Sequence, residues 1–118
     1  AGPLNPLYGL FVAVHRLNPE FSDAWGPEHR IGVEEVLGHF TRGSARALML
    51  EDRIGSITVG KLADLVLFNI DLRDMAAVEF MQVYPLTIQG LAVSGWDDFV
   101  DLTIVGGEVV YEGARKGE

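Results

Sequence analysis

No cysteine occurs in the 118-residue chain, so disulfide stapling, thiolate metal sites and thiol catalysis are excluded. Cations are scarce. Nine Lys and Arg stand against seventeen Asp and Glu, for a formal net charge of −8, which would repel a phosphate backbone and disfavours nucleic-acid binding. No apolar run approaches the roughly 20 residues of a membrane span, and Ala1-Gly2-Pro3-Leu4-Asn5-Pro6 has none of the basic residues that open a secretory leader. These absences together read as a soluble, cytoplasmic chain.

What is present is ordinary for a globular domain: 48% hydrophobic and 22% charged residues, well away from disorder. A chain of this length buries roughly two-thirds of its unfolded surface. The acids are scattered as Glu34-Glu35, Glu51-Asp52, Asp97-Asp98 and singles, a solvated surface and not an acidic tail. No repeat or flexible linker is visible, so residues 1–118 read as a single compact unit, helical over 1–54 and β-rich over 55–118.

Asn5-Pro6 is a helix-start signature, and Leu7, Leu10, Phe11, Val14 and Leu17 follow at three- and four-residue spacing. That predicts a helix over 6–17, ended by Asn18-Pro19. Residues 18–30 read as a loop. A second helix is expected over 33–49, with Glu34 and Glu35 in its first turn, Val33, Val36, Leu37 and Phe40 on its buried face, and an interruption at Gly43-Ser44. The period then becomes strand-like. Ile57 to Val59 reads as a short strand, Gly60-Lys61 as a turn, and Asp64 to Asn69 as a strand whose continuous apolarity implies burial on both faces. Asp74 can cap a short helix through Phe80, and residues 85–93 look extended. Residues 102–105 and 108–112 flank Gly106-Gly107, as in a type I′ hairpin. The class is α+β, helices followed by a small, mostly antiparallel sheet.

Candidates for chemistry are few. His15, His29 and His39 form none of the close pairs that place two ligands on one metal. His15 lies off the apolar stripe and His29 in a charged loop, so both read as exposed side chains. Neither Gly43-Ser44-Ala45 nor Gly55-Ser56-Ile57 has the second glycine of a nucleophile elbow. Gly60-Lys61 follows Gly55 at P-loop spacing, but Leu62 stands where the metal-binding Ser or Thr belongs. Asp64 precedes an apolar run, where an Asp commonly bonds nearby backbone N–H groups and fixes a turn. Asp23, within Ser22-Asp23-Ala24, reads as a loop Asx-turn, and Trp25 and Trp96 as packing over an edge of the core. No catalytic, cofactor-binding or metal-ligating residue is assigned.

Four stretches carry a family likeness. The run Gly55-Ser56-Ile57-Thr58-Val59-Gly60-Lys61-Leu62-Ala63-Asp64-Leu65-Val66-Leu67-Phe68, with the ending Thr103-Ile104-Val105-Gly106-Gly107-Glu108-Val109-Val110-Tyr111, resembles the closing segment of metal-dependent amidohydrolases. Asn5-Pro6-Leu7-Tyr8-Gly9-Leu10 through Ala13-Val14-His15-Arg16 resembles the helix after the last barrel strand in the N-substituted formamide deformylase-like branch. Pro27-Glu28-His29-Arg30-Ile31 with Val33-Glu34-Glu35-Val36-Leu37 is similar to that branch's last long helix. Residues 71–98 depart from the pattern, and Tyr84-Pro85-Leu86 with Gly90 and Gly95 is faintly like cyclic-amide hydrolases.

The resemblance implies the end of a (β/α)₈ barrel plus part of its side β-sandwich. It implies a divalent, zinc-like metal for the complete enzyme, with the metal-binding Asp of the last barrel strand falling just before Ala1. The expected function is therefore a C-terminal portion of an amidohydrolase, inactive alone, whose parent hydrolyses an amide or other C–N bond. The alternatives are a free-standing assembly module, and a metal site built at an oligomer interface from His15, His29 or His39. A homo-oligomer is expected through helix faces that the missing barrel leaves uncovered.

Overall fold

The computed structural model describes residues 6–16, 23–76 and 99–113. The chain divides into two compact units, one of residues 1–36 and 71–96 and the other of residues 37–70 and 97–118. Among the described residues the class is α+β, with helices and a three-stranded antiparallel sheet. No described helix is long and apolar enough to cross a membrane.

The first unit is organised by α1 (Pro6–His15). Leu7, Leu10 and Phe11 are buried, as their spacing requires, and Val14 is half-buried. The helix stops at His15, short of the predicted Leu17, because Arg16 turns into the left-handed region at φ 56°. A left-handed residue just past the last turn is the common way to end a helix. A 3₁₀ turn at Leu72–Ala76, where a helix capped by Asp74 was expected, lies against α1. Asp71 organises its start: its carboxylate takes the Arg73 backbone N–H at 3.0 Å and the Arg73 guanidinium Nε at 2.9 Å. These bonds to Arg73 lower the Asp71 pKa to about 2.

α2 (Val33–Gly38) buries Val33 and Val36 and begins where predicted, Val36 N–H donating to Gly32 O at 3.0 Å. Beyond it the helix widens into a π turn at His39–Gly43 before α3 (Ser44–Ala47). The expected break at Gly43-Ser44 thus takes the form of a wider turn and not a stop. Two hydroxyls bond backwards there, Thr41 Oγ1 to Leu37 O at 2.7 Å and Ser44 Oγ to His39 O at 3.1 Å. Such back-bonds compete with the α-helical ladder.

In the second unit β1 (Leu65–Phe68), β2 (Val100–Val105) and β3 (Glu108–Glu112) pair in that order. Gly106 and Gly107 join β2 to β3 with φ 57° and 86°, the two positive values a type I′ turn needs. Asp101 is the extra residue in the β1–β2 pairing and Val110 in the β2–β3 pairing. Each makes a bulge, which increases local twist. Asp101 is also tied, its carboxylate accepting from Asn69 Nδ2 and its carbonyl from Gly113 N–H.

Three expectations need correction. Ile57 to Val59 is not a strand: among the described residues no sheet partner reaches it, and Ile57 is 90% exposed. β1 is not buried on either face, Leu65, Val66 and Leu67 all being exposed. Continuous apolarity signalled two faces that can be covered, while the described residues cover neither. Nor is Phe40 buried beside Val33 and Val36, since it lies on the widened turn and is 43% exposed. The extended reading of 85–93 and the remainder of the Asp74 helix lie outside the described residues.

Gly55 holds a close approach. It sits at φ 91°, and a Cβ built there would lie 2.6 Å from Ala45 Cβ and 3.1 Å from Thr41 O. Ala45 is itself buried. Gly55→Ala is predicted to destabilise the chain by about 3 kcal/mol, combining backbone strain with overpacking. Urea denaturation followed by circular dichroism measures it, and a loss below about 1 kcal/mol would contradict the packing described.

Candidate functional site

Asp64, the carboxylate nearest to a suggestive motif, does structural work at long range. Its Oδ1 accepts the Gly106 N–H at 2.8 Å, and the neighbouring Ala63 carbonyl accepts the Gly107 N–H at 3.0 Å. In a two-residue hairpin turn these amides point away from the ladder and are otherwise left to water. Here both are taken. The expected bond to a nearby backbone N–H is replaced by one that spans 42 positions of sequence.

The loop before β1 is fastened at several points. Leu62 N–H donates to Arg53 O at 2.8 Å, and Lys61 Nζ donates to Glu51 O. Lys61 therefore braces a loop. Ser56 and Thr58 hydroxyls lie 3.0 Å apart in the same loop.

The three histidines occupy three settings. His15 is buried, 7% exposed, with its ring 4.5 Å from that of Phe11, which corrects the exposed reading. Leu7, Phe11 and His15 follow one another at four-residue spacing, so the apolar stripe continues into the histidine. His29 lies on an exposed 3₁₀ turn at Pro27–His29, its Nε2 3.4 Å from Glu28 Oε1. His39 opens the π turn and is exposed. Among the described residues no three His, Asp or Glu side chains gather to hold a metal ion. Asp23 is exposed in its loop, whereas Ser22 and Trp96 lie outside the described residues.

Trp25 is 74% exposed and packs over no core edge. It pairs instead with Arg16: Trp25 N–H donates to Arg16 O at 2.9 Å, Arg16 Nε donates to Trp25 O at 3.0 Å, and the guanidinium carbon sits 5.0 Å from the ring centroid. Sequence reading missed this pair. The residues stand nine positions apart across a loop, and no local rule couples an Arg after a helix to a downstream Trp. Arg30 adds a further tie, its Nε donating to His15 O at 3.2 Å.

Removing the Asp64 carboxylate should cost roughly 1 to 2 kcal/mol, the worth of a charge-assisted hydrogen bond discounted for exposure. Thermal unfolding of Asp64→Ala against Asp64→Asn checks this. The Asn variant keeps an acceptor oxygen and should retain most of the stability; equal loss in both would contradict the assigned bond.

Comparison with known proteins finds that residues 1–111 match the amidohydrolase family. Over 71 residues the chain is 38% identical to Protein LONG AFTER FAR-RED 3 of Arabidopsis thaliana, covering 60% of this chain and 12% of that one. An imidazolonepropionase of Legionella pneumophila (strain Corby) is 42% identical over 66 residues, covering 56% of this chain and 16% of its own length. A 5-methylthioadenosine/S-adenosylhomocysteine deaminase of Desulforudis audaxviator is 40% identical over 80 residues, 68% of this chain and 17% of the deaminase. The chain thus spans between 12% and 17% of these relatives. No solved structure matches.

Proposed function

Because the chain belongs to the amidohydrolase family, we propose that it is the C-terminal part of a metal-dependent hydrolase acting on an amide or other C–N bond, of the N-substituted formamide deformylase-like branch. In this reading it supplies outer helices of the barrel and strands of a side sandwich, and has no hydrolytic activity of its own. The observation that carries the reading is the pairing of a family match over residues 1–111 with coverage of 17% or less of the relatives.

A divalent metal in the complete enzyme would lower the pKa of a bound water toward neutrality and so supply the nucleophile. The described residues of this chain do not fit such an ion, because no three candidate ligands come together among them. No catalytic step is therefore assigned to them. Their part is packing.

The 118-residue chain, purified and dialysed against zinc, is expected to retain less than stoichiometric metal in elemental analysis and to hydrolyse no amide substrate. Stoichiometric zinc with hydrolysis would overturn the reading in favour of a site assembled between copies from His15, His29 or His39. An upstream reading frame encoding His-x-His and the remaining barrel strands supports it over a free-standing assembly module.

Self-association belongs to the same reading. Exposed apolar side chains support it, Phe40 on the expected helix face as well as Leu67, Val109 and Val110 on the sheet, since apolar side chains gathered at a surface mark interaction sites. Sedimentation velocity should show a homo-oligomer whose population grows with concentration. A monomer at all concentrations would count against it.

A further inference from the structure

We propose that Arg16 is a preorganised carboxylate-binding fork on the surface of this chain, a role that does not depend on the family's hydrolytic chemistry. Arg16 occupies the left-handed region at φ 56°, where glycine or asparagine is the ordinary helix-ending residue. Residues held in such conformations cluster at functional sites. Four contacts fix it there. Its N–H donates to Val12 O at 2.7 Å, its carbonyl accepts from Trp25 N–H at 2.9 Å, its Nε donates to Trp25 O at 3.0 Å, and one face of the guanidinium covers the Trp25 ring at 5.0 Å.

Those contacts use Nε and one face and leave the terminal nitrogens. Nη1 and Nη2 make no hydrogen bond or ion pair with any described residue, in a chain that carries seventeen carboxylate side chains. Glu28 lies on the Gly26 side, its Oε1 3.8 Å from a Cβ built on Gly26, and that oxygen stands 3.4 Å from His29 Nε2. Gly26 keeps the approach open. A Cβ built on it would stand 3.4 Å from Arg16 Nη2 and 3.2 Å from His29 Cδ2, so the missing methyl leaves room beside the fork.

A guanidinium with its stem and plane already fixed loses little freedom on binding, and two parallel N–H donors match the two oxygens of a carboxylate. The ligand is accordingly a carboxylate, either a small free acid or an acidic group of a polypeptide. Lys in the same place would keep the charge and lose the fork.

The test is NMR titration of the ¹⁵N-labelled 118-residue chain with sodium acetate, with sodium chloride at equal ionic strength as control. A saturable shift of the Arg16 Nε–H and Trp25 indole N–H signals is expected with acetate and not with chloride. Arg16→Lys should weaken acetate binding about tenfold, Trp25→Leu should weaken it by releasing the fork, and Glu28→Gln should tighten it by removing a competing negative charge. Retained acetate affinity in Arg16→Lys, or the same response to chloride, would overturn the proposal. Circular dichroism of each variant confirms that α1 is intact; if Arg16→Lys unfolds, Trp25→Leu carries the test, and undiminished binding there overturns the proposal equally. A Glu-rich peptide in place of acetate identifies the source, tighter binding pointing to a polypeptide and equal binding to a small acid.

Discussion

The Asp64 carboxylate on the Gly106 N–H, with the adjacent Ala63 carbonyl on the Gly107 N–H, is the constraint on which the β part of this chain depends. A type I′ turn presents two amides that its own hairpin does not use, and the residues leading into β1 take both. The entrance of one edge strand is thereby tied to the tip of the hairpin that pairs with it. The tie acts beside the Leu65–Ile104 end of the pairing, so it reinforces register as well as satisfying donors. The family-like run Gly55 to Phe68 and the ending Thr103 to Tyr111 are, physically, two halves of one fastening.

That fastening explains which parts were legible in the sequence. The hairpin could be read because Gly106-Gly107 between strand-like segments specifies turn, register and strand direction from local chemistry alone. α1 could be read from the spacing of Leu7, Leu10 and Phe11. The partner of Asp64 could not, because side-chain-to-backbone rules are local and the amide it binds lies 42 positions away. Burial was misread for the same reason. His15 continues the stripe of Leu7 and Phe11 and is buried with them, although the sequence reading placed it off that stripe. β1 has the composition of a covered strand yet is exposed, since composition records what a strand can bury against and not what lies beside it.

The candidate site shows the same division. Sequence motifs identify the family, and the family match over residues 1–111 bears that out at the level of the superfamily. The residues within the motifs, however, make turns, brace loops and satisfy amides: Gly55 admits Ala45, Lys61 holds the Glu51 carbonyl, and Asp64 holds the hairpin. The pair that departs from a purely structural role, Arg16 with Trp25, falls outside the closing motif. It became visible only through the left-handed Arg16 backbone and the loop that returns to it.

Amide hydrogen exchange on the intact chain tests the central claim most directly. If Asp64 and Ala63 hold the hairpin tip, the Gly106 and Gly107 amides exchange as slowly as the paired amides of β2, because opening them requires the same cooperative unfolding. Exchange of both glycine amides at the rate of a free two-residue turn, with β2 still protected, would contradict it.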